Sequence, residues 1–141
     1  MRFFANPNRG VNDIEFGMTA GMVRQRMSGS LETGDIRAKS KEHPTDSYPD
    51  VPVFFYYDSE GHLEAIEFCS GADVLLGTVN PLNLPTTEAI AFLRRLDPDL
   101  EVDDDGAVSR RLSLAIWVPF MGDEEEGEHV ETLLLAVPGA Y

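Results

Sequence analysis

Apolar residues alternate along Val53-Phe54-Phe55-Tyr56-Tyr57 and return from Leu63 to Phe68, with the polar stretch Asp58-Ser59-Glu60-Gly61 between them. β-Branched and aromatic residues on either side of a turn ending in glycine predict a β-hairpin over Pro52 to Phe68. The pattern recurs late in the chain. His129-Val130-Glu131-Thr132-Leu133 repeats His62-Leu63-Glu64-Ala65-Ile66 in type, again as the outgoing strand after an acidic, glycine-containing turn. Leu112, Leu114, Ile116 and Val118 share one strand face, and Ser113, Ala115 and Trp117 the other.

Helical spacing shows in two places. Thr19 is placed to cap a short helix that carries Met22, Val23 and Met27 on one face and ends before Gly29. Thr86 is placed to cap a second, in which Ala89, Ile90, Leu93 and Leu96 line one side before Asp97-Pro98 ends it. Residues 1–15, rich in Asn and broken by Pro7 and Gly10, predict a loosely held arm with at most one short strand. Asp35 to Ser40 reads as an edge strand, Ala72 to Val79 as a third strand or an irregular link, and Ala107 to Val118 as one long strand. Pro119 to Gly127 is an acidic turn before a closing strand over Glu128 to Val137.

Each half thus reads helix, turn, hairpin. Thr19 to Thr86 and His62 to His129 are both 67 residues apart, and two anchors at one offset predict tandem pseudo-repeats over about 12–79 and 80–141. The expected fold is a single α+β domain over 1–141, built as one antiparallel sheet with both helices on one face and the other face open.

Phe16-Gly17-Met18-Thr19 followed by Val23 resembles the glycine-methionine-threonine helix start of small bacterial modules of the outer-membrane assembly lipoprotein type and of the β-lactamase inhibitory protein type. The resemblance implies two helix-plus-sheet repeats and, for the inhibitory type, a concave sheet lined with aromatics that grips another protein. It carries over no catalytic residues. With its DSEGHLEAIEF hairpin and LDPDLEVDDDG turn, the whole chain is also similar to a group of small cytoplasmic bacterial proteins.

Charge narrows the range of partners. With 25 acidic against 11 basic residues and a formal net charge of −14, the surface repels polyanions, which argues against nucleic acid and favours a basic protein partner. The arginines stand in dispersed pairs, Arg24 with Arg26, Arg94 with Arg95 and Arg110 with Arg111, so no phosphate-binding patch forms. At 141 residues and 43% apolar content, one buried core is expected. The single Cys69 excludes an internal disulfide and suits a reducing compartment. No run approaches the ~20 apolar residues of a membrane span, and no leader-like apolar segment opens the chain, so the expected location is cytoplasmic with no membrane association.

Candidate chemistry is sparse. His62 with Glu64, and His129 with Glu131, stand two apart and would share strand faces in a metal site together with His43. A histidine opening a strand after a polar turn is more simply solvated. Asp103-Asp104-Asp105-Gly106 looks like a calcium loop, but counting from Glu101 puts Leu112 where the bidentate glutamate belongs. Cys69 has no ordered base, no nucleophile elbow or phosphate loop occurs, and Glu64 and Glu67 fall on opposite faces of a regular strand. No catalytic residue, metal site or cofactor is therefore assigned.

The aromatics are more informative. Burying the Val53, Phe55, Tyr57 set leaves Phe54, Tyr56 and Trp117 on an open face with Glu64, Ile66 and Glu131. In the competing arrangement, helices or the arm cover both faces and all these aromatics are core. The favoured function is a non-catalytic protein-binding module of immunity or inhibitor type. The alternative is a small-ligand-binding protein or enzyme that uses a His/carboxylate groove between the repeats. Oligomeric state is left open by these residues.

Overall fold

The computed structural model describes residues 1–27, 32–33, 43–119 and 129–141, with 32–33 described by backbone alone. Three short strands open the chain, Arg2–Asn6 (β1), Gly10–Val11 (β2) and Ile14–Glu15 (β3), before helix α1 over Ala20–Arg26. Glu32–Thr33 (β4), Asp46–Tyr48 (β5), Val53–Tyr57 (β6) and Leu63–Cys69 (β7) follow. Asp73–Leu75 (β8) and a 3₁₀ turn over Pro81–Asn83 lead into helix α2, Thr86–Leu96. The last strands are Glu101–Val102 (β9), Gly106–Ser109 (β10), Leu114–Trp117 (β11) and Thr132–Ala136 (β12).

Among the described residues these strands make two sheets. The larger is antiparallel throughout, in the order β4-β5-β6-β7-β12-β11-β10-β9. The smaller runs β3-β2-β1-β8, with β1 and β8 parallel. The fold is therefore α+β with two helices and mostly antiparallel sheets, and the expectation of a single sheet does not hold.

The N-terminal residues make the difference. Phe3, Val11 and Ile14 are fully buried, and the Phe3 ring lies 5.1 Å from that of Phe68, tilted by 58°. What reads as a loose Asn-rich arm is tight-turn chemistry: Asn8 and Asn12 take the left-handed conformation, with φ of 68° and 52°. The Asn12 amide then accepts from the Phe4 N–H at 2.8 Å and donates to the Arg2 carbonyl at 3.2 Å, bracketing β1. The Ala72 to Val79 stretch supplies β8, which pairs with β1 through Arg2, Phe3 and Phe4.

Two rows of side chains cross the inner face of the large sheet. One runs Tyr48, Val53, Phe68, Leu133, Ile116, Ala107; the other Asp46, Phe55, Ile66, Leu135, Leu114, Ser109. All are buried, and Val23 of α1 with Ala89 and Leu93 of α2 join the same apolar cluster. The second row ends in a polar clamp on each side. Asp46 is fully buried, takes a forked pair of bonds from Arg24 at 2.7 and 2.9 Å, and accepts the Tyr57 hydroxyl at 2.9 Å. An unpaired buried carboxylate would be very costly, and these three donors offset that cost. Asp46 in turn raises the Arg24 pKa through the bond it accepts, and burial followed by the Asp46 charge pushes the Tyr57 phenol well up. At the other end the Ser109 hydroxyl donates to Asp97 at 2.6 Å, tying β10 to the residue that follows α2.

Several local expectations need adjustment. Thr19 caps α1 through the Met22 N–H, but Thr86 is the first residue of α2, with Pro85 before it and no side-chain capping bond. Met22 and Leu96 are exposed, so each helix buries a narrower stripe than its spacing suggests. The long strand over 107–118 is two strands: Ser113 sits at φ 48°, the chain turns at Arg110–Ser113, and β10 folds back on β11. In β7, Tyr56 pairs with Ala65 and Tyr57 with Leu63, so Glu64 is the extra residue of a β-bulge. Gly29, the strand expected over Asp35 to Ser40 and residues 120–127 of the acidic turn lie outside the described residues.

Leu93→Ala is expected to cost about 2–5 kcal/mol because it empties a fully buried site, whereas exposed Asp104→Ala should stay within ~0.5 kcal/mol; urea denaturation of both variants checks this. The second test is pH-dependent. The Ser109 hydroxyl, against the opposing effect of burial and helped by the Asp99 amide and Arg111, holds the Asp97 carboxyl below its usual range. That stabilisation is present above about pH 4 and is lost as pH falls through the lowered pKa. Ser109→Ala should therefore destabilise most at neutral pH, with the gap to wild type narrowing below about pH 4. A gap independent of pH would show that the bond does not favour the charged carboxylate.

Candidate partner-binding face

Strand alternation places one side chain in two on the outer face of the large sheet. The register carries one row across it from β5 to β9, Ser47, Phe54, Glu67, Leu134, Ala115, Val108, Glu101, and a shorter one beside it, Cys69, Thr132, Trp117, Gly106. From Phe54 to Val108 each member is half-buried. Phe54 and Tyr56, two apart on β6, stack with ring centroids 6.4 Å apart and planes within 19°. The Tyr56 hydroxyl donates to Glu67 across the strand pair at 2.6 Å. Trp117 ends β11 and is 47% exposed, the only tryptophan of the chain.

Two shallow clefts flank Glu67 and Leu134. One, of about 310 Å³, lies towards β9–β11 and is bordered by Trp117, Asp103, Asp105, Thr132 and Tyr141. Gly106 forms part of its wall opposite Trp117; it sits at φ 152°, and a Cβ there would collide with the Ile116 carbonyl. The other, of about 320 Å³, lies over β6–β7 and is bordered by Tyr56, Glu64, Glu67 and Thr45, with Ala65 and Leu134 beneath. Tyr141 approaches Glu67 from the first cleft, and burial followed by the Glu67 charge raises its phenol pKa.

The structure sorts the expected partner-binding residues into three groups. Phe54, Tyr56 and Glu64 gather on the β6–β7 side, and Trp117 lies on the same face beyond β12. Glu131 is exposed just outside β12, its N–H bonded to the Trp117 carbonyl at 2.9 Å. Ile66 is in the core with no exposure, paired with Phe55. The bulge at Glu64 explains this: one extra residue shifts the alternation, so Leu63 and Ile66 face inward together while Glu64 and Glu67, expected on opposite faces, border one cleft. Glu67, Thr45 and Tyr141 were not expected at the site.

The histidines are not brought together. β7 and β12 run antiparallel, so His62 and His129 lie beyond opposite ends of their pairing. His62 stays near Asp58 and Glu60, at 4.0 and 3.8 Å, while the His43 ring lies against Gly61. Asp58 is held below the usual carboxylate range, chiefly by the His62 amide N–H. Among the described residues no three His, Cys, Asp or Glu side chains form a group able to hold a metal ion. Cys69 is half-buried at the end of β7.

Since Trp117 packs at the rim of the face, Trp117→Ala is expected to destabilise by about 1 kcal/mol, against the 3–5 kcal/mol typical of a buried aromatic. Unfolding at neutral pH followed by circular dichroism distinguishes the two. Among the described residues no helix is long and apolar enough to cross a membrane. No protein-family model, no curated protein and no solved structure matches the chain.

Proposed function

We propose that this protein is a non-catalytic binding module that grips a basic protein partner on the outer face of its large sheet. The observation that carries the reading is the exposed Trp117, set on a half-apolar face that also bears Phe54 and Tyr56 and is bordered by the carboxylates of Glu64, Glu67, Asp103 and Asp105. Large aromatics that desolvate on docking supply most interface energy, and surrounding acidic groups select and steer a basic partner. A reducing, cytoplasmic setting and an immunity or inhibitor role suit the lone cysteine and the acidic surface.

We read the chain as two tandem halves, each with a helix and a run of four strands in the large sheet. Strands β4 to β7 and β12 to β9 meet at β7–β12, and both polar clamps join the inner face to a helix region, Arg24 of α1 on one side and Asp97 after α2 on the other. An isolated bridge pairs Thr19 with His62, and another pairs Pro85 with His129, at nearly the offset of 67 residues read from the sequence. On this view both helices lie on the inner face, and the outer face is the concave aromatic surface implied by the resemblance to inhibitory modules.

Affinity capture with wild type and Trp117→Ala side by side tests the reading. A basic protein should be retained by the wild type and lost from the variant, with an affinity loss of about 2 kcal/mol or more by calorimetry. Replacing Asp103 and Asp105 by Asn should slow association, most at low salt, and leave dissociation nearly unchanged, because rim charges act mainly on encounter. Equal retention of every captured protein by both forms would rule the face out.

A further inference from the structure

We infer that helix α2 is the contact of a symmetric dimer, in which a second copy of this chain lays its own α2 antiparallel across the groove beside it. The inference uses none of the residues of the outer sheet face and stands or falls apart from the binding role proposed above. Three observations lead to it.

The first is a second stripe on the helix. Thr86, Ala89 and Leu93 of α2 are buried, yet Glu88, Ala91, Phe92 and Arg95, at offsets of three, four and seven, share a different face. That face borders a groove of about 280 Å³, which Val79 and Leu84 complete. Phe92, Val79 and Leu84 are only half-buried and Ala91 is exposed, so the groove holds apolar surface that the core does not use.

The second is the placing of charge. Glu88 stands at one end of the stripe and Arg95 at the other, about 10 Å apart along the helix axis. Among the described residues neither has a salt-bridge partner, and the Arg95 guanidinium lies over the Phe92 ring, 5.9 Å from its centre. The helix dipole accounts for an acid in the first turn and a base in the last, but not for both standing on the face that lines a groove.

The third is symmetry. A second α2, laid antiparallel about a point midway between positions 91 and 92, sets Glu88 against Arg95 of the second copy and Arg95 against its Glu88. Phe92 then meets Ala91 of the second copy, large against small, twice over. Any other occupant would have to carry its charges in the reverse order, whereas a second copy does so by symmetry. The net charge of −14 on each chain opposes association at long range, but is screened over about 8 Å at physiological ionic strength, which leaves the short-range pairs to decide.

Sedimentation equilibrium of the full chain at about 0.15 M salt, over roughly 1–500 μM, tests this. Wild type should show a reversible monomer–dimer equilibrium of micromolar strength, as a small interface gives. Glu88→Arg and Arg95→Glu, both at exposed positions, should each weaken dimerisation about tenfold or more by setting like charges against each other. Combined in one chain they should restore it to within about threefold, and a mixture of the two single variants should pair with each other and not with themselves. Trp117→Ala should leave the dimer unchanged. A wild-type monomer throughout the range, a dimer indifferent to Glu88→Arg, or a double variant no tighter than the single ones would each overturn the inference. Loss of the dimer with Trp117→Ala would move the contact to the outer sheet face and overturn it too.

Discussion

The pairing of β7 with β12 is the contact on which the rest of the large sheet depends. Five residue pairs, from Cys69 with Thr132 to Ala65 with Ala136, join two four-strand runs whose internal pairings are all between neighbours in sequence. Without them the inner rows end at Phe68 and Ile66 on one side and Leu133 and Leu135 on the other, and each run exposes half a core. The same seam makes the outer face continuous. Glu67 and Leu134 are seam partners, and both clefts open on either side of them.

The polar residues inside the fold work with this seam. Asp46 and Ser109 occupy opposite ends of one otherwise apolar row, so neither interrupts the packing of Phe55, Ile66, Leu135 and Leu114 between them. A buried ion pair adds little net stability, but removing one member leaves a stranded charge, which penalises any arrangement that moves α1 away from β5. Of the buried carboxylates, Asp46 is answered by Arg24, reaching in from the surface, and by the Tyr57 hydroxyl, and Asp97 by the Ser109 hydroxyl.

Much of this was legible in the residues. The hairpin over β6 and β7, both helices, the inward set Val53, Phe55 and Tyr57 and the exposed Trp117 all follow from period and propensity. The failures share a cause. Asn8, Asn12 and Ser113 adopt left-handed conformations open to non-glycine residues, and each made a tight turn where the composition read as loose chain or continuous strand. The bulge at Glu64 had one available signal, the spacing of three between the apolar Leu63 and Ile66, which strict alternation cannot accommodate if both are core. Missing it moved Ile66 to the wrong face and hid the partnership of Glu64 with Glu67. Thr45 and Tyr141 left no trace in the pattern, because their places depend on how distant segments meet.

The parallel pairing of β1 with β8 sets an order on how the chain can acquire its shape. Arg2, Phe3 and Phe4 have their partners at Asp73, Val74 and Leu75, and Phe3 packs on Phe68, so β1 cannot complete its pairing until β8 has been made. Contacts this far apart in sequence form late, after local hairpins have closed most of the intervening loop. During synthesis Phe3 therefore stays unburied until both Phe68 and β8 are in place. A nascent chain stalled before residue 73 would leave that ring and the edge of β1 exposed, the kind of surface that chaperones shield.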